Sequence, residues 1–137
     1  MPARNPKELQ RGLATALGAE KDPSVPEILT LEPGDGELRV TLHVGADMPC
    51  FRGHFPGNPV LPGVLQLQWA VEISRLNFGF SRPPSQILRL KFKSIVVPPS
   101  RIELRITRGA GADVTFSYAS EAGTHSQGLL RFDEGSR

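Results

Sequence analysis

Cysteine is almost absent from this chain, with Cys50 its single example. No internal disulfide can form, which suits a reducing cytosol, and no CxxC pair exists. Long hydrophobic runs are missing too. No stretch reaches the ~18 consecutive apolar residues that crossing a bilayer as a helix requires. The first residues, MPARNPKELQRGLATALG, lack the apolar core and cleavage site of a secretion signal, so a cytoplasmic protein is expected. Charge of one sign is not in excess. A formal net charge of +2 and a pI near 9.0 make the chain mildly basic, too little to argue for a nucleic-acid partner. There is no HExxH and no phosphate-binding GxGxxG. The histidines, His43, His54 and His125, stand in unrelated contexts, so neither a metal site nor a cofactor is expected. No internal repeat or low-complexity segment interrupts the chain.

What is present centres on one stretch, FRGHFPGNPVLPGVLQLQWAVEISRLNF, from Phe51 to Phe78. Gly53, Gly57 and Gly63, with Pro56, Pro59 and Pro62, exclude regular structure over its first half. Glycine admits φ > 0, and proline fixes φ and lacks a donor. Each residue before a proline is pushed to extended geometry. Such a loop is stiff, and His54 is its one side chain suited to proton transfer near neutral pH. Pro62 stands where a helix can start, because the first turn needs no N–H there. From Gly63 onward apolar residues fall on nearly every side, broken by Gln66, Gln68, Glu72 and Arg75. This predicts a central helix over roughly 63–77, buried and wrapped by the rest of the chain. Gln66 or Gln68, if buried, needs partners, so at least one is expected to face a pocket or an interface.

A length of 137 residues is one domain's worth, and small domains often gain stability by dimerising. Residues 1–26 read as an extension. Leu9, Leu13, Ala16 and Leu17 suggest a short helix over about 7–17, with a loose tail as the alternative. Residues 27–132 read as the domain proper, and 133–137 as a polar tail. Glu27 to Gly45 reads as a hairpin turning at PGDG. Leu38, Val40, Leu42 and Val44 alternate with polar residues there, the period of a half-buried strand. His43 falls on the polar side of that strand, and Cys50 reads as an ordinary buried thiol. Beyond the helix, further alternating rows follow: Leu88, Leu90 and Phe92; Ile102, Leu104 and Ile106; Val114, Phe116 and Tyr118; and a last strand over Gln127 to Phe132. The predicted class is α+β, a curled antiparallel sheet around one helix. Arg89, Lys91, Lys93, Arg101 and Arg105 would share one sheet face if their two strands are neighbours.

The run GHFPGNPVLPGV resembles the signature of the FabZ/FabA-type 3-hydroxyacyl-carrier-protein dehydratases, and LRLKFKSIVVPPSRIELRI resembles the strand–turn–strand that follows in that family. The QLQWA run looks more like the ApeI-like branch, associated with aryl polyene lipid synthesis. The resemblance covers roughly residues 36–132 and implies a hotdog fold. It also implies a thioester substrate on acyl carrier protein or coenzyme A, and a homodimer or higher oligomer that can pair with another dehydratase. Because carrier proteins are acidic, the basic rows would suit electrostatic steering.

By that resemblance His54 is the catalytic base, and the Gly63 N–H holds the thioester carbonyl. Phe55, Val64, Leu65, Trp69 and Glu72 lie along the acyl chain. The family places the histidine and a helix carboxylate of one site on different subunits. The carboxylate position is Gln68 here, a departure with consequences, since an amide donates a hydrogen bond but transfers no proton at neutral pH. Three readings are open. Gln68 orients the hydroxyl or a water while His54 makes both proton transfers; or Glu72, one turn on, takes its place; or elimination is lost, leaving a thioesterase or a non-catalytic acyl-binding or partner subunit.

Overall fold

The structure is a computed structural model of the chain, and it describes residues 5–18, 24–52 and 59–133. It contains helix α1 (Pro6–Leu17), strands β1 (Glu27–Gly34) and β2 (Glu37–Val44), a 3₁₀ turn at Pro49–Phe51, and helix α2 (Gly63–Phe78). Strands β3 (Gln86–Phe92), β4 (Ser100–Arg108), β5 (Asp113–Ser120) and β6 (Gly123–Arg131) follow. The strands form one antiparallel six-stranded sheet in the order β1-β2-β4-β5-β6-β3.

The alternating rows build the core. Leu38 lies opposite Ile106, Val40 opposite Leu104, and Leu42 opposite Ile102. Leu104 in turn faces Tyr118, and Ile106 faces Phe116. The period of two puts all of these on one face, and every one is buried. Helix α2 lies on that face through Trp69, Ala70 and Ile73, each fully enclosed. Complete burial of a side chain such as Ile73 contributes about 1.5–3 kcal/mol. The hairpin between β1 and β2 closes at Asp35–Gly36, where Gly36 has φ 66. A side chain is disfavoured in that conformation.

Helix α1 starts at Asn5, whose side chain accepts from the Glu8 N–H at 3.0 Å. Pro6 follows at the first helical position. Leu9, Leu13 and Leu17 recur on one face and are buried. A Cβ added at Gly12 would stand 3.3 Å from Leu76 of α2, so the two helices cross closely there. Gln10 fixes α1 to β1 by donating to the Pro26 carbonyl and accepting from the Ile28 N–H, both at 2.6 Å. Helix α2 ends at Gly79, whose left-handed backbone (φ 77) carries its N–H back to the Arg75 carbonyl.

Three features depart from expectation. Helix α2 is not wrapped all round: its inner face is buried, but Val64 is 69% exposed and Gln68 is also exposed. Strand β3 is not a neighbour of β4. It crosses to the far edge of the sheet and pairs with β6, so β5 and β6 separate the two basic rows. Its alternation also fails. Arg89 takes φ 54, and the register with β6 shifts between Leu88 and Lys91, as at a β-bulge. Leu90 and Phe92 therefore stand exposed. Finally, β6 begins at Gly123, several residues before the expected Gln127.

Candidate functional site

The N-terminus of α2 opens onto a cavity of about 500 Å³, within the range of small-ligand sites. Leu61, Gly63, Val64 and Gln66 line it from the helix side, and Phe92 and Ser94 from the β3 side. Pro62 is the residue before the helix and offers no side-chain cap. Its carbonyl accepts from the N–H groups of Leu65 and Gln66. The N–H groups of Gly63 and Val64 have no acceptor among the described residues, as the first turn of a helix dictates. They form a donor pair at the positive end of the helix dipole, suited to an oxygen carrying negative charge. Gly63 is glycine for a visible reason: a Cβ there would meet Phe92 Cε1 at 2.6 Å.

Gln66 is 3% exposed and held from two sides. The Tyr118 hydroxyl donates to its backbone carbonyl at 2.7 Å, and the Ser126 hydroxyl donates to its Oε1 at 2.6 Å. Burial pushes the Tyr118 phenol well above its usual range, so it remains a neutral donor. Beside Ser126, His125 is buried between two serines. Ser94 Oγ donates to the Thr124 carbonyl at 3.0 Å, so it accepts from His125 Nδ1, also at 3.0 Å. Nε2 is then left to accept from Ser120 Oγ at 2.7 Å. The backbone carbonyl of His125 also takes the N–H groups of Lys93 and Ser94. Two adjacent residues of β6 thus secure opposite walls of the cavity, Ser94 on one side and Gln66 on the other.

The residues expected in the site are distributed as follows. Gly63 and Val64 line the cavity. Gln68 points to solvent on the uncovered side of α2. Glu72, one turn on, is paired with Arg75 at 3.1 Å. Trp69 belongs to the core, fully buried and donating from Nε1 to the Ser24 carbonyl at 3.1 Å. Leu65 is half-buried and packs against the core. His54 and Phe55 lie outside the described residues. Cys50 is half-buried, and burial raises its thiol above the ordinary value, with the Ser24 side chain opposing; this is the reverse of an activated nucleophile. His43 is half-exposed, its Nδ1 3.8 Å from Glu27. Among the described residues there is no grouping of His, Cys, Asp or Glu able to hold a metal, and no helix long and apolar enough to cross a membrane. Of the basic row, Arg89 and Arg105 border a separate groove of about 310 Å³ on the sheet, while Lys93 lines the cavity beside α2.

Sequence reasoning missed His125, Ser126, Ser94 and Tyr118 as supports of this site. Tyr118 was visible only as one more member of an apolar row, and His125 and Ser126 fell ahead of the last strand expected from Gln127. Pro62 and Gly63, by contrast, signalled the helix start.

The arrangement has close counterparts. A structure of the dehydratase heterocomplex ApeI:P from Xenorhabdus doucetiae matches with a TM-score of 0.69 and 32% identity, covering 77% of this chain and 96% of that one. The architecture is therefore that of the hotdog-fold dehydratases. A family model described as ApeI-like, ApeI dehydratase, matches residues 31–129, and the chain belongs to that family. The 3-hydroxyacyl-[acyl-carrier-protein] dehydratase FabZ of Haemophilus influenzae is 30% identical, over 77% of this chain and 78% of that protein. The FabZ of Legionella pneumophila (strain Lens) is 35% identical, but the match spans only 44% of its length.

Proposed function

We propose that this chain eliminates water from a 3-hydroxyacyl thioester carried on acyl carrier protein, in fatty acid or aryl polyene type lipid synthesis in the cytoplasm. The observation that carries this reading is the cavity at the N-terminus of α2, bordered by Gly63 and Val64, whose N–H groups have no acceptor among the described residues. Those donors suit a thioester oxygen as it gains enolate character, and loss of one such donor costs about 10²–10³-fold in comparable oxyanion chemistry. His54 is the base, since an imidazole gains and loses its proton near neutral pH. It takes the C2 proton, the C2 electrons form the C2=C3 bond, and the C3–O bond breaks. The same imidazolium returns its proton to the departing hydroxyl, which leaves as water. Gln68 stands at the family's carboxylate position and serves as a hydrogen-bond donor to the water as it departs. The acyl chain lies against Val64 and Leu65, with Phe55 along the same path.

The reading includes a dimer, with His54 of one subunit meeting Gln68 of the partner subunit. Two features support it. Gln68 is exposed on the uncovered side of α2. The β3 edge and the segment after it expose Ile87, Leu90, Phe92, Ile95 and Val97, an apolar row that an isolated chain would leave wet. The partner is a second copy or another dehydratase subunit; the ApeI:P dehydratase of Xenorhabdus doucetiae is itself a heterocomplex.

Mass spectrometry of a 3-hydroxyacyl carrier-protein thioester incubated with the pure protein tests the function. Loss of water is expected. Release of free acid would establish a thioesterase instead. No change, with water loss appearing in Gln68→Glu, would make this chain a partner subunit with a degenerate site.

A further inference from the structure

The side chain of Gln66 carries a second functional group that no structural role uses. It is 3% exposed, and its Oε1 accepts from the Ser126 hydroxyl at 2.6 Å. Ser126 is fully buried, and Gln66 Oε1 is the acceptor its proton has. Turning the amide over would set Nε2 against that hydroxyl and strand the proton, so the network fixes Oε1 toward Ser126 and Nε2 away from it. Nε2 has no acceptor among the described residues. Gln66 lines the cavity at the head of α2 together with Phe92 and Ser94, so its amide is available to a polar group bound there.

We propose that Gln66 Nε2 is the donor that recognises the 3-hydroxyl oxygen of the substrate. The inference rests on the acyl-thioester reading above. Gly63 and Gln66 lie about 4.5 Å apart along the helix axis, less than one turn, and both border the same cavity. A 3-hydroxyacyl thioester presents two oxygens to such a wall, the carbonyl on C1 and the hydroxyl on C3. With the carbonyl on the Gly63 N–H, the hydroxyl falls beside Gln66. The amide leaves the proton transfers to His54 and supplies specificity: it favours an acyl chain bearing an oxygen on C3 over a saturated one. Ser126 is the positioning residue, since its hydroxyl holds the amide the right way round.

The test measures dissociation constants for the 3-hydroxyacyl and the saturated acyl pantetheine thioesters of equal length, in a His54→Ala background so that the probe is not consumed. One hydrogen bond to a buried donor predicts about tenfold preference for the hydroxylated ligand. Gln66→Met keeps the length and removes the donor; it should bring the ratio close to one. Because that variant strands the Ser126 hydroxyl, the double variant Gln66→Met/Ser126→Ala is measured beside it, replacing both polar partners by apolar groups. The same loss of preference is expected there. A ratio near one before Gln66 is changed, or a tenfold ratio that survives in either folded variant, overturns the proposal. Water loss by the unmodified protein is scored separately, so failure of the dehydratase reading and failure of this assignment give different results.

Discussion

Gly63→Ala separates the chemistry of this site from its stability. The added Cβ would stand 2.6 Å from Phe92 Cε1 and 2.8 Å from Cζ, against an ordinary carbon–carbon contact of about 3.5–4.0 Å. The ring must withdraw by about 1 Å. Within one chain it has room to, since Phe92 is 53% exposed on an edge strand. Gly63 is not among the residues with positive φ, and alanine is the better helix former by about 1 kcal/mol at interior positions. The fold should therefore change in stability by less than about 1 kcal/mol in either direction. Function is less forgiving, because Phe92 is a wall of the cavity next to the donor N–H groups. A misplacement of about 1 Å can lower turnover by about 10²-fold, or about 2.7 kcal/mol of barrier. The assay pairs thermal unfolding with kcat/KM on a 3-hydroxyacyl thioester. The diagnostic step is Gly63→Ala/Phe92→Ala, in which the displaced ring is gone; at least tenfold recovery over the single variant is expected, a coupling between neighbours. A double variant as slow as the single one would refute the steric reasoning.

Two further predictions concern the frame around the site. Tyr118→Phe removes the hydroxyl that donates to the Gln66 carbonyl at 2.7 Å. It should cost about 1 kcal/mol by urea unfolding, because that carbonyl keeps its place in the helix ladder; an unchanged midpoint would show that the bond contributes nothing. The Asp113 carboxylate is held below its usual range by the hydrogen bond from Arg131, with burial opposing. A carboxylate whose folded pKa is depressed contributes stability that is present above its unfolded value of about 3.9 and disappears as pH falls through the folded value. Arg131→Gln should flatten that acid-side loss in unfolding measured against pH, and an identical profile for the variant would contradict the pairing.

The parts of the fold set by local pattern were readable from sequence. Leu38, Val40, Leu42 and Val44 alternate, and the strand they form pairs with the row at Ile102, which pairs in turn with the row at Val114, through a common inner face. The glycines and prolines before Gly63 mark the start of α2 because they leave the backbone no regular alternative. Placement of β3 was not readable. Its alternation looks like that of any half-buried strand, and only tertiary pairing with β6 sends it to an edge, where Arg89 bulges and Phe92 turns out beside Gly63. The site divides the same way. Gln66 and Gln68 were both recognisable as polar residues interrupting an apolar helix, yet periodicity alone could not say which was buried. Ser126 and Tyr118, distant in sequence, decide it by anchoring Gln66. His125 was legible only as a lone histidine. Its partners Ser94 and Ser120 meet it because the chain returns along β6 beside the turn after β3.

The central claim is that the His54 loop and the N-terminus of α2 together perform an elimination. The measurement that tests it most directly is single-turnover conversion of a 3-hydroxyacyl carrier-protein thioester, followed by mass spectrometry, for the unmodified protein and for His54→Ala shown by circular dichroism to be folded. The account predicts water loss by the first and none by the second. Equal water loss by both would contradict it, since the proton transfers would then belong to a different residue.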